Sequence, residues 1–189
     1  TNGTVNQTAV VSAPTLTLTA TTAGSGDFTL NSQANVLGTV STTNTVNSVA
    51  LRDDTDLTLG SITTDTSVAL QSNGAVTQTA ALTAPTLTLT GTAAGSGDFT
   101  LTNAGNVIGT VSSTNTVNSV SLRDDTDLVL GTLAVDTSVS LQTDGSVTQT
   151  GALTGGAAVS LTASTAGSGD FTLTNAGNAI GSVASTNLV

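Results

Sequence analysis

Short runs in which apolar and small polar residues alternate recur along the whole chain. Their common form is Val or Leu, a small polar residue, then Leu, at Leu16–Leu18, Val49–Leu51, Val68–Leu70, Leu87–Leu89, Val120–Leu122, Val139–Leu141 and Val159–Leu161. A period of two places successive side chains on opposite sides of a strand. Val49 and Leu51 then face inward while Ala50 and Arg52 face out. Leu87 and Leu89, Leu57 and Leu59, and Leu128 and Leu130 are expected inside in the same way. The starts of the seven runs are separated by 33, 19, 19, 33, 19 and 20 residues. Small residues at Gly38, Gly60, Ala80, Gly109, Gly131, Gly151 and Gly181 follow strands on a related beat.

A longer period encloses this one. Gly-Ser-Gly-Asp-Phe-Thr-Leu begins at Gly24, Gly95 and Gly167, and Arg-Asp-Asp-Thr-Asp-Leu at Arg52 and Arg123, which gives offsets of 71, 72 and 71 residues. Repetition at a fixed period marks an architecture that grows by stacking. A beat of about 20 residues is too short for a βαβ unit and long enough for one turn of a β-solenoid. The expectation is an all-β, parallel β-helix with about three coils per 71-residue block, two compact and one long. The chain reads as one continuous segment, 1–189, with blocks at approximately 5–75, 76–146 and a partial 147–189. At a strand spacing of about 4.8 Å a block of three coils advances about 14 Å, and the chain spans roughly 35–40 Å.

Composition sharpens this picture. Thr, Val, Ser, Asn and Gly take the place of straight-chain helix formers, and there is no Lys, Glu or Met. Thr and Val lose side-chain freedom in a helix and pack well on a pleated sheet, so helix content should be near zero. Low charge and high polarity also occur in disordered chains, but the alternating Val and Leu runs provide the buried face that such chains lack. There is no Cys, so no disulfide framework is available, and no apolar run approaches the roughly 18 residues of a membrane-spanning helix. The chain begins and stops inside repeat phrases, as expected of a piece of a longer protein: Val5-Asn6-Gln7-Thr8 matches Val76-Thr77-Gln78-Thr79, and Ser185-Thr186-Asn187 matches Ser113-Thr114-Asn115.

Phrases such as Phe99-Thr-Leu-Thr-Asn-Ala-Gly-Asn-Val-Ile-Gly-Thr-Val111 and Gly145-Ser-Val-Thr-Gln-Thr-Gly-Ala-Leu153 resemble the repeats of filamentous-haemagglutinin-like exoproteins. These are bacterial surface adhesins of the two-partner secretion type, with related autotransporter passengers. The resemblance covers essentially the whole chain and marks a style of repeat. It implies a right-handed parallel β-helix at the cell surface or outside the cell, a role in adhesion or biofilm, and export through an outer-membrane translocator. The partners it implies are flanking repeats of the same polypeptide and a host or matrix receptor. The third block departs from the pattern: a stretch around Gly155-Gly156, one residue longer, replaces Ala84-Pro85, which places the coil register there in question.

Candidate chemistry is sparse. Arg52-Asp53-Asp54-Thr55-Asp56 and its copy Arg123-Asp124-Asp125-Thr126-Asp127 carry three carboxylates within four residues and could offer oxygen ligands to Ca²⁺. They lack the EF-hand spacing and its distal Glu, so the reading adopted is a solvated corner in which Asp makes turn bonds and Arg offsets charge. A calcium-stabilised alternative predicts a large rise in melting temperature with millimolar calcium. Asp53 and Asp54 are adjacent and should point oppositely, and with no His, Lys, Glu or Tyr there are few groups to tune as acid or base. The chain therefore reads as non-enzymatic, with no catalytic, cofactor-binding or metal-binding residue assigned. A net charge of −10 disfavours nucleic acid.

Three residue sets are expected to serve structure. Phe28, Phe99 and Phe171 should plug the core. Gln7, Gln78 and Gln149 should bond backbone at corners. Outward Thr rows such as Thr15-Leu16-Thr17 should not form an ice-binding array, because Ser48, Ala50, Ser67 and Ala69 interrupt them on neighbouring coils. The function expected is a stalk region of a secreted adhesin or biofilm matrix fibre. The alternative is a self-assembling extracellular filament or sheath subunit, whose rods join laterally or end to end; spontaneous fibres from the isolated segment mark that alternative.

Overall fold

A computed structural model describes residues 1–187 as a parallel β-solenoid of about nine turns with no helix. Its strands are β1 Thr4–Asn6, β2 Ser12–Thr19, β3 Ser25–Thr43, β4 Val46–Asp53, β5 Leu57–Leu59, β6 Ile62–Ser72, β7 Ala75–Gln78, β8 Leu82–Gly91, β9 Ser96–Leu101, β10 Val107–Ser113, β11 Val117–Arg123, β12 Leu128–Leu130, β13 Leu133–Thr143, β14 Ser146–Gln149, β15 Leu153–Thr154, β16 Ala158–Ala163, β17 Asp170–Phe171 and β18 Ser182–Thr186. They form two long faces. The first stacks β1, the first part of β3, β4, β6, β8, β10, β12, β14 and β17. The second stacks β2, the rest of β3, β5, β7, β9, β11, β13, β16 and β18. β15 pairs with the start of β13 at a corner.

Between the faces lies an apolar interior. Val49, Leu51, Leu57, Leu59, Leu87, Leu89, Leu128 and Leu130 are all buried, as their alternation requires. Like pairs with like along the axis: Phe28, Val49, Val68 and Leu87 form one ladder, and Leu101, Leu122, Leu141 and Leu161 another. Each fully buried rung contributes about 1.5–3 kcal/mol, which offsets the ordering of the short strands that carry it.

The register revises the relation between repeat and coil. Val40 lies on the second face, against Leu59, while its copy Val111 lies on the first, against Leu87 and Leu130. Val49 and Val68 are on the first face, and their copies Val120 and Val139 pair on the second. A 71-residue block therefore makes three and a half turns, where about three were expected. The 33-residue interval anticipated as a single long coil is one and a half turns. Individual turns take 19 residues, as from Val49 to Val68, or up to 24, as from Leu87 to Val111. One block then advances about 17 Å and nine turns about 43 Å, at the usual strand spacing.

The extra residue of the third block does not disturb this register. Gly155 and Gly156 adopt φ of 105° and 77°, and the inward sequence resumes with Val139 against Val159 and Leu141 against Leu161. The surplus is absorbed in a left-handed bend that glycine adopts without penalty.

Phe28 and Phe99 fill the interior as expected, whereas Phe171 is only partly buried and packs at its margin. Phe171→Ala is expected to cost about 1–2 kcal/mol, less than a fully buried Phe, since part of its ring is already in water. Urea titration monitored by far-ultraviolet circular dichroism measures it.

Candidate functional site

The Arg-Asp-Asp-Thr-Asp corners split into an outer and an inner half. Arg52 and Asp54 are two apart on β4 and the turn that follows, and both project outward. Arg52 Nε donates to Asp54 Oδ1 at 2.9 Å and Nη2 to Oδ2 at 2.7 Å, a two-point pair that recurs between Arg123 and Asp125. Each partner is about a quarter to a third exposed, so the pair adds at most about 1 kcal/mol. The bonded carboxylates raise both guanidinium groups above their ordinary value.

The inner half corrects the expectation of a solvated corner. Asp53 and Asp124 are fully buried. Asp53 Oδ2 accepts the backbone N–H of Leu37 at 2.6 Å, and its Oδ1 accepts Thr55 N at 2.8 Å and Thr55 Oγ1 at 2.6 Å. Asp124 accepts from Ile108 N, Thr126 N and Thr126 Oγ1 in the same way. Charge-assisted bonds to both oxygens fasten one turn to the next. They leave the inner carboxylate turned away from any ligand at the surface. Among the described residues no group of three or more metal-ligating acidic, His or Cys side chains is assembled.

Beside each corner lies a clasp in which one of the expected corner glutamines meets an asparagine that the sequence reading did not single out. Asn106 is buried. Its Nδ2 donates to Leu101 O, Arg123 O and Gln78 Oε1, each at 3.0 Å. Its Oδ1 accepts Leu82 N and Gln78 Nε2, each at 2.9 Å. Gln78 also donates to Ala80 O at 2.7 Å and accepts Asn103 N at 3.0 Å, so it does bond backbone at a corner, as expected, but with a side-chain partner. Gln7 with Asn35 and Gln149 with Asn178 repeat the arrangement. The signal available in the sequence was the constant separation of Gln and Asn in every block, 28 or 29 residues.

A third polar ladder crosses the first face. Asp27 Oδ1 accepts Ser48 Oγ at 2.5 Å and Asn47 Nδ2 at 2.6 Å, and Thr66 Oγ1 donates to Asn47 Oδ1 at 3.0 Å on the next turn. The Ser48 and Asn47 bonds hold the Asp27 carboxyl below its ordinary value of 3.8. Arg123, and secondarily Ser164, do the same for Asp125 against slight burial. A lowered folded value means that these carboxylates stabilise the fold fully above the unfolded value, and that the contribution is lost as pH falls below 3.8 and through the lowered one. The double variant Asp27→Asn, Asp125→Asn is therefore expected to melt below the wild type at neutral pH, with the gap closing as pH falls below 3.8. Paired thermal melts across that range check it.

The hydroxyl rows are more regular than expected on one face. The outward column of the second face runs Thr15, Thr39, Thr58, Thr77, Thr100, Ser121, Ser140 and Ser160, and ends at Ala184. Ser48, Ala50, Ser67 and Ala69 belong to the opposite face. The neighbouring column is interrupted by Gly60, Arg123 and Gln142, so no two-column lattice continues along the rod.

These features define a repeat solenoid whose buried polar groups serve register: among the described residues every buried side-chain nitrogen or oxygen has a partner. The chain belongs to the family described as repeats of unknown function (DUF5649), which matches residues 46–115 and 117–187. The two matches begin at the first residues of β4 and β11, one block apart and on opposite faces. Neither a curated protein nor a solved structure matches the chain.

Proposed function

We propose that this chain is a stalk segment of a secreted bacterial surface adhesin or matrix fibre, without catalytic activity, and that its work is mechanical. The observation that carries this reading is the half-turn phase of an unbroken ladder. Each block has one bulkier turn, and a bulge repeated on one side would curve the rod. Three and a half turns per block place successive bulges on opposite sides, so that their bending cancels. The same phase shows each repeated surface feature on alternate sides of the rod in successive blocks. The acidic exterior, at a net charge of −10, opposes lateral association of such rods. The resemblance of the Phe99–Val111 and Gly145–Leu153 phrases to filamentous-haemagglutinin-like repeats agrees with this role and with passage through an outer-membrane translocator.

Two measurements test it. Arrays of two, four and six blocks should be straight in electron micrographs and lengthen by about 17 Å per block. Antibodies raised against the purified chain should label intact cells of the source organism. Curved or globular particles, or labelling only after the cells are permeabilised, would overturn the proposal.

A further inference from the structure

Position 2 recurs at the 71-residue period as 73 and 144, always followed by glycine: Asn2-Gly3, Asn73-Gly74 and Asp144-Gly145. The glycine is required by packing. A Cβ on Gly74 would stand 2.6 Å from Thr55 O, and one on Gly145 2.3 Å from Thr126 O. The residue before it faces the Gly-Ser-Gly turn of the next rung. In the first of these copies Asn2 Oδ1 accepts Thr22 N and Ser25 Oγ, each at 2.9 Å. In the third, Asp144 Oδ1 accepts Thr165 N at 2.7 Å and Ser168 Oγ, and its Oδ2 accepts Thr165 Oγ1 at 3.2 Å. The second copy differs. Asn73 is exposed and makes no side-chain hydrogen bond among the described residues, while Ala93 N, the counterpart of Thr22 N and Thr165 N, turns to Ser96 Oγ at 3.0 Å.

We propose that Asn73 is a site of spontaneous deamidation, and that the aspartate formed there takes up the clamp that Asp144 makes. The Gly74 nitrogen, after losing its proton to hydroxide, attacks Asn73 Cγ. A carbon–nitrogen bond forms, the amide nitrogen leaves as ammonia, and a five-membered succinimide closes. Water then adds to one of the two ring carbonyls and opens it to aspartate or isoaspartate, with no change of oxidation state. Three features favour the site. Glycine presents no Cβ to the attack. The Asn73 amide has no partner among the described residues. The product carboxylate is a stronger acceptor than an amide for Ala93 N, now bonded to Ser96 Oγ, and for Ser96 Oγ, now donating to Ala93 O. The pairings of Ser72 with Gly91 and Ala75 with Asp98 bracket the site, so the two-residue turn between them would have to take up the extra backbone carbon of isoaspartate.

The test ages the folded chain at mildly alkaline pH and locates amide-to-acid conversion by fragmentation mass spectrometry, beside a sample unfolded in urea. Conversion in the folded chain is expected at Asn73 first, more slowly at Asn2, whose amide oxygen is engaged, and last at asparagines not followed by glycine. Asn73→Gln should abolish it at that position. Asn73→Asp should slow hydrogen exchange of the Ala93 amide about tenfold, the effect of one charge-assisted hydrogen bond. The proposal is overturned if Asn73 keeps its amide in the folded chain while the unfolded chain loses it. It is overturned equally if Asn73→Asp leaves Ala93 exchange unchanged or faster.

Discussion

Asn106→Ala is expected to remove about 4–6 kcal/mol of stability, more than any surface substitution in the chain. The side chain joins three consecutive turns through bonds to Leu82 N, Leu101 O, Arg123 O and the Gln78 amide. Truncation strands these groups in a buried site, and each unsatisfied one costs about 1–3 kcal/mol, less whatever water recovers. Asn106→Asp separates this account from simple loss of volume. It keeps the shape and the acceptor for Leu82 N but replaces the donor to two carbonyls with a carboxylate, and it should destabilise nearly as much as alanine. Asn178→Ala should cost less, because Asn178 is only half-buried. The midpoint of urea unfolding measures all three. An unchanged slope would show that the lost stability is not a change in the surface exposed. If Asn106→Asp were as stable as the wild type, the clasp would not be what registers the turns.

Inside and outside were legible in the sequence because alternation is a local property. Val49, Leu51, Leu87 and Leu89 could be placed from their neighbours alone. The half-turn phase was not, because strands on either face carry the same apolar alternation. Leu57–Leu59 on the second face and Val49–Leu51 on the first read alike, and only hydrogen-bonded pairing separates them. Counting one kind of strand gave three coils where seven half-turns were present. The clasp was hidden for a different reason. Asn in an Asn-Ala-Gly-Asn run reads as turn chemistry, and nothing within the run distinguishes the half-buried Asn103 from the buried Asn106. What marks Asn106 is a partner 28 residues upstream that lies on the preceding rung. Asp53 and Asp54 show both outcomes. Their opposite directions followed from adjacency, but the burial of Asp53 depends on Leu37 N, a donor supplied by the turn below.

Gly155→Ala and Gly156→Ala should differ sharply although the residues are adjacent and both carry positive φ. A Cβ on Gly155 would lie 2.1 Å from Val135 O and 2.7 Å from Val135 C, both backbone atoms fixed in β13. Relief requires the rung below to move, and the backbone angle is itself unfavourable to an L-residue. Overpacking and left-handed strain together are expected to cost about 4 kcal/mol. A Cβ on Gly156 meets nothing within 4 Å, so only the conformational penalty of about 1 kcal/mol remains. The cause of the bend supplies a compensating change. The third block is one residue longer here than the second, and the two glycines accommodate the surplus. Replacing Gly155–Ala158 by Ala-Pro-Thr, as in residues 84–86 of the second block, shortens the turn by that residue and removes the need for positive φ. The shortened chain should unfold within about 1 kcal/mol of the wild type, a surface-like change despite four altered positions. Gly155→Ala alone should be severely weakened. If both were equally damaged, the turn would depend on features of the third block other than its length, and the equivalence of its rungs to those of the second block would not hold.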